Sequence, residues 1–146
     1  MFLQTAGVGS SSDMAPAPKS KPDTPSRKLE VIVDASGVAA AAETLSQQEI
    51  IAFDTEFLRE KTFYPRLGLL QLADRKNTWL VDPLALSRDD LKPILKVLTD
   101  PKILKVVHAA EQDQECLNHS YGILAKPLLD TAIAAALTGL GDQIGL

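Results

Sequence analysis

Two carboxylates lie two residues apart at the end of a predicted strand. Asp54 and Glu56 follow the apolar run 50–53, and the segment 50–57 has the pattern of a buried strand. Because successive side chains of a strand point to opposite faces, both carboxylates share one face, about 7 Å apart along the chain. Such a pair is costly unless a positive charge lies between its members, and hard divalent cations prefer carboxylate oxygens. The pair therefore indicates a metal site, with a solvated strand end as the alternative.

A third acidic residue follows the next buried strand. The apolar run 103–107 precedes Asp113, which lies on a helix predicted to begin at about residue 110. Ligand sites of open α/β sheets gather at the carboxyl ends of strands, so Asp113 can reach the site opened by the first two carboxylates. The alternative is an ordinary acid on a helix surface. Asp130 precedes a further helical pattern and is predicted to be its N-cap rather than a ligand.

The spacing of apolar residues predicts an α/β fold with a mixed sheet. Three antiparallel strands come first, and a helix, a buried parallel strand and further helices follow. In the third strand, Leu67, Leu69 and Gln71 are predicted to share one face. The predicted strands are 29–33, 50–57, 67–73, 78–81 and 103–107, and the predicted helices are about 37–45, 90–100, 110–119 and 130–137.

Capping residues mark the predicted starts of the first two helices. Ser36 has the residue type of an N-cap for the first helix. Pro93 is best tolerated in a first helical turn, so the second helix is predicted to begin near Asp90.

Length and composition bound the class of protein. The 146 residues are enough for one domain, and the net charge of −4 argues against non-specific nucleic-acid binding through a basic surface. One cysteine excludes a disulfide within the chain, and a reducing cytoplasm is expected. No apolar run approaches the roughly 18 residues of a membrane span. Residues 1–27 are rich in serine and proline and are predicted to be a disordered tail before a folded part at 28–146. A mitochondrial presequence is the alternative reading of that tail, although its early residues lack arginine.

Five segments of the chain form an ordered set of motifs: DTEF at 54–57, FYPRLGLLQL at 63–72, VDPL at 81–84, HAAEQD at 108–113 and LDTAIAAA at 129–136. In this order they resemble the ribonuclease D family. The resemblance spans about residues 29–140 and implies a DEDD-type 3′–5′ exonuclease with a ribonuclease H-like fold.

The resemblance implies a set of catalytic metal ligands. Asp54 and Glu56 correspond to the first two acidic ligands, and Asp113 corresponds to the third. Two Mg²⁺ or Mn²⁺ ions, about 4 Å apart, would clamp the scissile phosphate between the attacking and leaving oxygens. The family's fourth ligand lies in a Tyr-x-x-x-Asp motif, which the 146 residues do not contain. A C-terminally truncated exonuclease domain is therefore expected, weakly active or inactive by itself.

The resemblance also implies RNA 3′ ends, such as those of tRNA precursors, as substrate. Basic and aromatic residues interleave after the second strand, as in sites that pair phosphate contacts with base stacking. The alternative there is a solvated loop with core aromatics, and for the histidine at 108 it is a buried, hydrogen-bonded side chain. The candidate nucleic-acid-binding residues are Thr55, Phe57, Arg59, Tyr64 and His108.

Two other functions stay open at the level of sequence. One is a non-catalytic remnant that binds a metal or nucleic acid, and the other is a DNA-directed relative, since no residue pattern visibly reads a 2′-hydroxyl. A truncated domain would also leave apolar sheet surface uncovered, which makes self-association of the chain an expectation.

Overall fold

A computed structural model of the chain describes residues 28–58 and 65–139, with the backbone alone for 28–30. The predicted tail at 1–27 lies outside the described residues. The mixed α/β fold predicted from the sequence is confirmed. Its elements are β1 (Lys28–Ile32), α1 (Ala35–Ser46), β2 (Ile50–Leu58), β3 (Arg66–Ala73), β4 (Asn77–Val81), α2 (Arg88–Thr99), β5 (Leu104–Val107), α3 (Glu111–Tyr121), β6 (Leu128–Asp130) and α4 (Thr131–Leu137).

The strands form a single sheet in the order β1-β4-β3-β2-β5-β6. β2, β3 and β4 are antiparallel, as predicted. β5 runs parallel to β2 and β6 runs parallel to β5, so the carboxyl ends of these three strands meet at one edge of the sheet. β6 was not predicted, because a three-residue strand is too short to show a period in the sequence.

One face of the sheet is packed against α1, α2 and α3, whose apolar side chains share a core with the strands. Along β2, Ile51, Phe53 and Thr55 are buried while the residues between them are exposed, which is the alternation that the sequence predicts. No element in the described part of the chain buries the other face, where Val31 and Ile50 are exposed. None of the described helices is long and apolar enough to cross a membrane.

A β-bulge beside β2 corrects one prediction. The pairing of β2 with β3 shifts between Glu56 and Phe57, so that Glu56 pairs with Leu69 and Phe57 pairs with Leu67. Gly68 is the extra residue, and a Cβ there would lie 3.3 Å from the Glu56 carbonyl oxygen. The bulge turns Leu67 into the core, so the prediction that it shares a face with Leu69 is wrong.

Two predicted helix starts are also corrected. Asp34, not Ser36, caps α1, and its carboxylate accepts hydrogen bonds from the Gly37 N–H and the Ser36 hydroxyl. Ser87 caps α2 in a capping box with Asp90, so this helix begins at Arg88 and carries Pro93 in its interior. The side-chain oxygen that accepts from an N–H of the first turn, in the Asp34 carboxylate for α1 and in the Ser87 hydroxyl for α2, decides where each helix begins.

Candidate active site

Asp54 and Glu56 project from the solvent-exposed face of β2, beyond the point where β5 ends. The β2–β5 ladder stops at the pair Ala52 and Val106, so both carboxylates lie past the last paired residue. Gln71 of β3 faces Asp54 across the strands, and its Nε2 donates to Asp54 Oδ2 at 3.1 Å. The prediction that the two acids share one face is confirmed by the exposure pattern of the strand.

Asp113 reaches the same strand from α3. Its side chain is only 5% exposed, and Oδ1 accepts from the Thr55 N–H at 2.9 Å and from the Thr55 hydroxyl at 2.5 Å. The first of these bonds satisfies the backbone N–H of Thr55, which lies beyond the last residue of β2 that pairs with β5. Asp113 is therefore anchored to the residue between Asp54 and Glu56, and the alternative of an ordinary surface acid is excluded.

The electrostatics of the site oppose the ionised carboxylates. Burial, together with the nearby charge of Glu56, raises the pKa of Asp54 above its usual value. Burial likewise raises the pKa of Asp113; the hydrogen bonds from Thr55 act in the opposite direction, and the charge of Asp54 adds to the increase. A negative charge on either residue is thus destabilised by its surroundings.

A cleft of about 610 Å³ brings the three carboxylates together at the carboxyl end of the parallel strands. Thr55 and Phe57 of β2 line it as well, as do residues of the β5–α3 loop and of α4. Within residues 28–58 and 65–139, no group of three or more His, Cys, Asp or Glu side chains is arranged to hold a metal ion.

Residues 29–146 match a family profile described as 3′–5′ exonuclease. The chain belongs to this family. The ribonuclease D of Bartonella henselae is 43% identical over 119 residues, which are 81% of this chain and 29% of that protein. The ribonuclease D of Zymomonas mobilis is 43% identical over 116 residues, covering 79% of this chain and 30% of that protein. The resemblance read from the sequence motifs is confirmed.

Two solved structures, those of an exoribonuclease and of the catalytic core of RRP6, have the same fold. The crystal structure of Escherichia coli RNase D superimposes with a TM-score of 0.74 at 39% identity, over 80% of this chain and 30% of that one. The catalytic core of RRP6 from Trypanosoma brucei gives a TM-score of 0.75 at 25% identity. The fold is therefore ribonuclease H-like, as expected, and the chain spans about 30% of the length of the curated relatives it matches.

His108 lies beside this cleft, in a neighbouring cavity of about 430 Å³ that Asp54 and Gln71 also line. Its Nδ1 is 2.9 Å from the hydroxyl of Thr131, and that hydroxyl donates to the Val107 carbonyl oxygen at 3.1 Å. When the one hydrogen of the hydroxyl is given to Val107, the Thr131 oxygen accepts from Nδ1. The alternative of a buried, hydrogen-bonded histidine is met for the hydrogen bond, whereas the residue is only half-buried, and its contact with nucleic acid stays a prediction.

Asp130 is the N-cap of α4, as predicted, and its carboxylate accepts from the Ala132 N–H at 2.9 Å. Although burial opposes its ionisation, hydrogen bonds from backbone N–H groups hold the pKa of Asp130 below its usual value. Asp130 also lines the cleft.

The structure brings some candidate residues to the cleft and leaves others undecided. Thr55 and Phe57 line it, whereas Arg59 and Tyr64 lie outside the described residues. Gln71 was not recognised as a site residue. Alternation put it on one face of its strand, but only the register of β2 against β3 places it opposite Asp54.

Proposed function

We propose that this chain carries the metal-binding carboxylates of a ribonuclease D-like 3′–5′ exoribonuclease, which hydrolyses 3′-terminal phosphodiester bonds of RNA. One observation carries the proposal: Asp54, Glu56 and Asp113 line a single cleft in a chain of the 3′–5′ exonuclease family. Escherichia coli RNase D, 39% identical to this chain, is described as an exoribonuclease involved in structured RNA processing. RNA 3′ ends such as those of tRNA precursors are the substrates we propose.

Asp54, Glu56 and Asp113 would hold two divalent ions, Mg²⁺ or Mn²⁺. The donor chemistry suits these ions, because they prefer carboxylate oxygens, and because a bound cation would offset the burial and the neighbouring negative charge that raise the pKa of Asp54 and of Asp113. When bound, such ions activate a water nucleophile and stabilise the charge on the scissile phosphate and the leaving oxygen.

The protein's own groups would orient these ligands and the substrate. The Gln71 amide fixes Asp54 through Oδ2, and Thr55 fixes Asp113 through Oδ1. His108 lines the neighbouring cavity together with Asp54 and Gln71. We propose His108, together with the nucleic-acid-binding candidates Thr55, Phe57, Arg59 and Tyr64, as contacts to the terminal nucleotides.

A cytoplasmic location is part of the proposal. The one cysteine of the sequence, Cys116, is buried on α3 and has no second cysteine with which to form a disulfide within the chain. This usage is typical of proteins that work in a reducing compartment.

Metal binding and RNA trimming test the proposal separately. The full chain is titrated with Mn²⁺ by calorimetry, and incubated with 5′-labelled single-stranded RNA that ends in a 3′-hydroxyl. Asp54→Asn should weaken Mn²⁺ binding and slow trimming at least about 100-fold, more than the loss of a residue that only supports a ligand. Glu43→Gln, at an exposed acid on α1, is the matched control and should change neither.

The expected product is a ladder that shortens one nucleotide at a time from the 3′ end. Trimming by the 146 residues should be slow, because they contain no Tyr-x-x-x-Asp motif to supply a fourth carboxylate. Trimming that survives Asp54→Asn, or Mn²⁺ binding that is equal in both variants, would overturn the ligand assignment. Equal rates on DNA of the same sequence would favour the DNA-directed alternative.

A further inference from the structure

One carboxylate, that of Asp130, joins two segments of the chain at the edge of the cleft. Besides the Ala132 N–H of α4, it accepts from the Ala109 N–H at 3.0 Å and from the Ala110 N–H at 2.8 Å. Ala109 and Ala110 belong to the β5–α3 loop, some twenty residues earlier in the chain. The N-cap role on α4 accounts for the bond from Ala132 only, so the two bonds to the loop require a separate explanation.

The loop that Asp130 holds contains an unfavourable backbone conformation. Ala109 has φ +57°, and it is the one non-glycine residue with a positive φ among the residues that the structure describes. An alanine Cβ is crowded in this left-handed region, so the conformation persists only where its surroundings stabilise it. The loop has just three residues, 108–110, between β5 and α3. The backbone of Ala109 therefore sets the direction in which α3 leaves the sheet.

α3 has no capping side chain of its own. Its N-cap residue is Ala110, which makes no side-chain cap bond, and the Ala110 N–H is instead bonded to Asp130 Oδ2. The start of α3 is thus held from outside the helix. Asp113 is the third residue of α3, within one turn of this point, and it is the residue bonded to Thr55.

We propose that Asp130 is a positioning residue: by fixing Ala109 and Ala110, it orients α3 so that Asp113 reaches Thr55 between the other two carboxylates. Its importance for catalysis rests on the proposed exonuclease function, whereas its effect on the geometry of Asp113 does not. Both carboxylate oxygens of Asp130 are engaged by N–H groups. This arrangement suits a residue that holds the backbone rather than one that ligates an ion.

Hydrogen exchange of the Thr55 amide reports on this geometry without any assay of activity. In the ¹⁵N-labelled full chain, Asp130→Asn should speed exchange at Thr55 at least about tenfold relative to Phe53 in the same strand, because Asn has only one acceptor oxygen. Adding Ala109→Gly should restore most of the protection, since glycine adopts a positive φ without the Cβ penalty. Asp34→Asn makes the same substitution at the N-cap of α1, and should leave the exchange of Thr55 relative to Phe53 unchanged.

Each outcome decides the matter. The proposal is overturned if Asp130→Asn leaves the protection of the Thr55 amide unchanged. It is also overturned if the double variant protects Thr55 no more than Asp130→Asn does, or if the double variant fails to fold. If Mn²⁺ affinity falls in Asp130→Asn and Ala109→Gly does not recover it, Asp130 is a ligand and the positioning role is wrong. If the exchange behaves as expected while the wild-type chain neither binds Mn²⁺ nor trims RNA, the proposed function fails and the positioning of Asp113 stands.

Discussion

Replacing Thr55 with valine removes one hydrogen bond from the buried carboxylate of Asp113 and leaves the shape of the core nearly unchanged. Thr55 and Asp113 are each 5% exposed, and the lost contact is the 2.5 Å hydrogen bond from the Thr55 hydroxyl to Asp113 Oδ1. A hydrogen bond to a charged group contributes about 1.5–3 kcal/mol. We therefore expect Thr55→Val to lower the free energy of unfolding at neutral pH by about 2 kcal/mol, or about 8 °C in melting temperature.

The loss should depend on pH, with a sign that follows from the raised pKa of Asp113. Since burial raises that pKa, the folded state binds the proton more tightly than the unfolded chain does, and ionisation of Asp113 costs stability as the pH rises through the folded pKa. Thr55→Val removes a hydrogen-bond donor to the ionised carboxylate, which raises the pKa of Asp113 further. The cost of Thr55→Val should thus be largest at neutral pH, and fall towards the roughly 1 kcal/mol of a neutral hydrogen bond when Asp113 is protonated.

Urea unfolding at neutral and acid pH measures both quantities, with the fluorescence of the buried Trp79, the one tryptophan of the sequence, as the signal. Thr99→Val is the matched control, because its hydroxyl donates to the backbone carbonyl oxygens of Leu95 and Lys96 and so has no titratable partner. A Thr55→Val cost below about 0.5 kcal/mol at neutral pH would refute the reasoning, because it is under the range expected for a bond to a charge. So would a pH dependence equal to that of Thr99→Val.

Four further predictions concern the stability and assembly of the chain. Asp113→Asn keeps an oxygen for Thr55 but removes a charge that burial destabilises, so the melting temperature without metal should rise. Added Mn²⁺ should no longer raise the melting temperature of this variant. A melting temperature below that of the wild-type chain, both without metal, would contradict the prediction. Lys105→Met removes the ammonium that donates to the Asp100 and Lys126 carbonyl oxygens, and the Ile103 N–H still donates to the Asp100 oxygen. The substitution should therefore cost about 2 kcal/mol in urea unfolding, and little change would mean that the ammonium is dispensable. Removing residues 1–27 should leave the melting temperature within a few degrees by scanning calorimetry, and a drop of about ten degrees would mean that this segment packs on the domain. Ile50→Lys, on the sheet face that no described element buries, should reduce self-association seen by light scattering at increasing concentration, and a mass unchanged by the substitution would argue that this face is not the contact.

Local rules were enough for most of the elements and for the first two site residues. The period of two in a strand puts Asp54 and Glu56 on one face whatever the strand pairs with, because covalent geometry alone sets that period. Helical spacing gave the bounds of α3 and α4 to within two residues, and the order of the motifs gave the family. The N-cap role of Asp130 also follows from residue type and position.

What only the tertiary structure decided depends on register and on contacts between distant segments. The bulge at Gly68 moves the Leu67 side chain to the buried face of β3, and the pairing of β2 with β3 brings Gln71 to Asp54. Neither result can be derived from the pattern of a single strand. Asp113 faces Thr55 because a three-residue loop with a left-handed alanine directs α3 back over the end of β2. The sequence thus determined which side chains could act, since residue type and local period are properties of short segments. The structure decided which of them meet, since loop geometry and strand register are set by the packing of the whole domain.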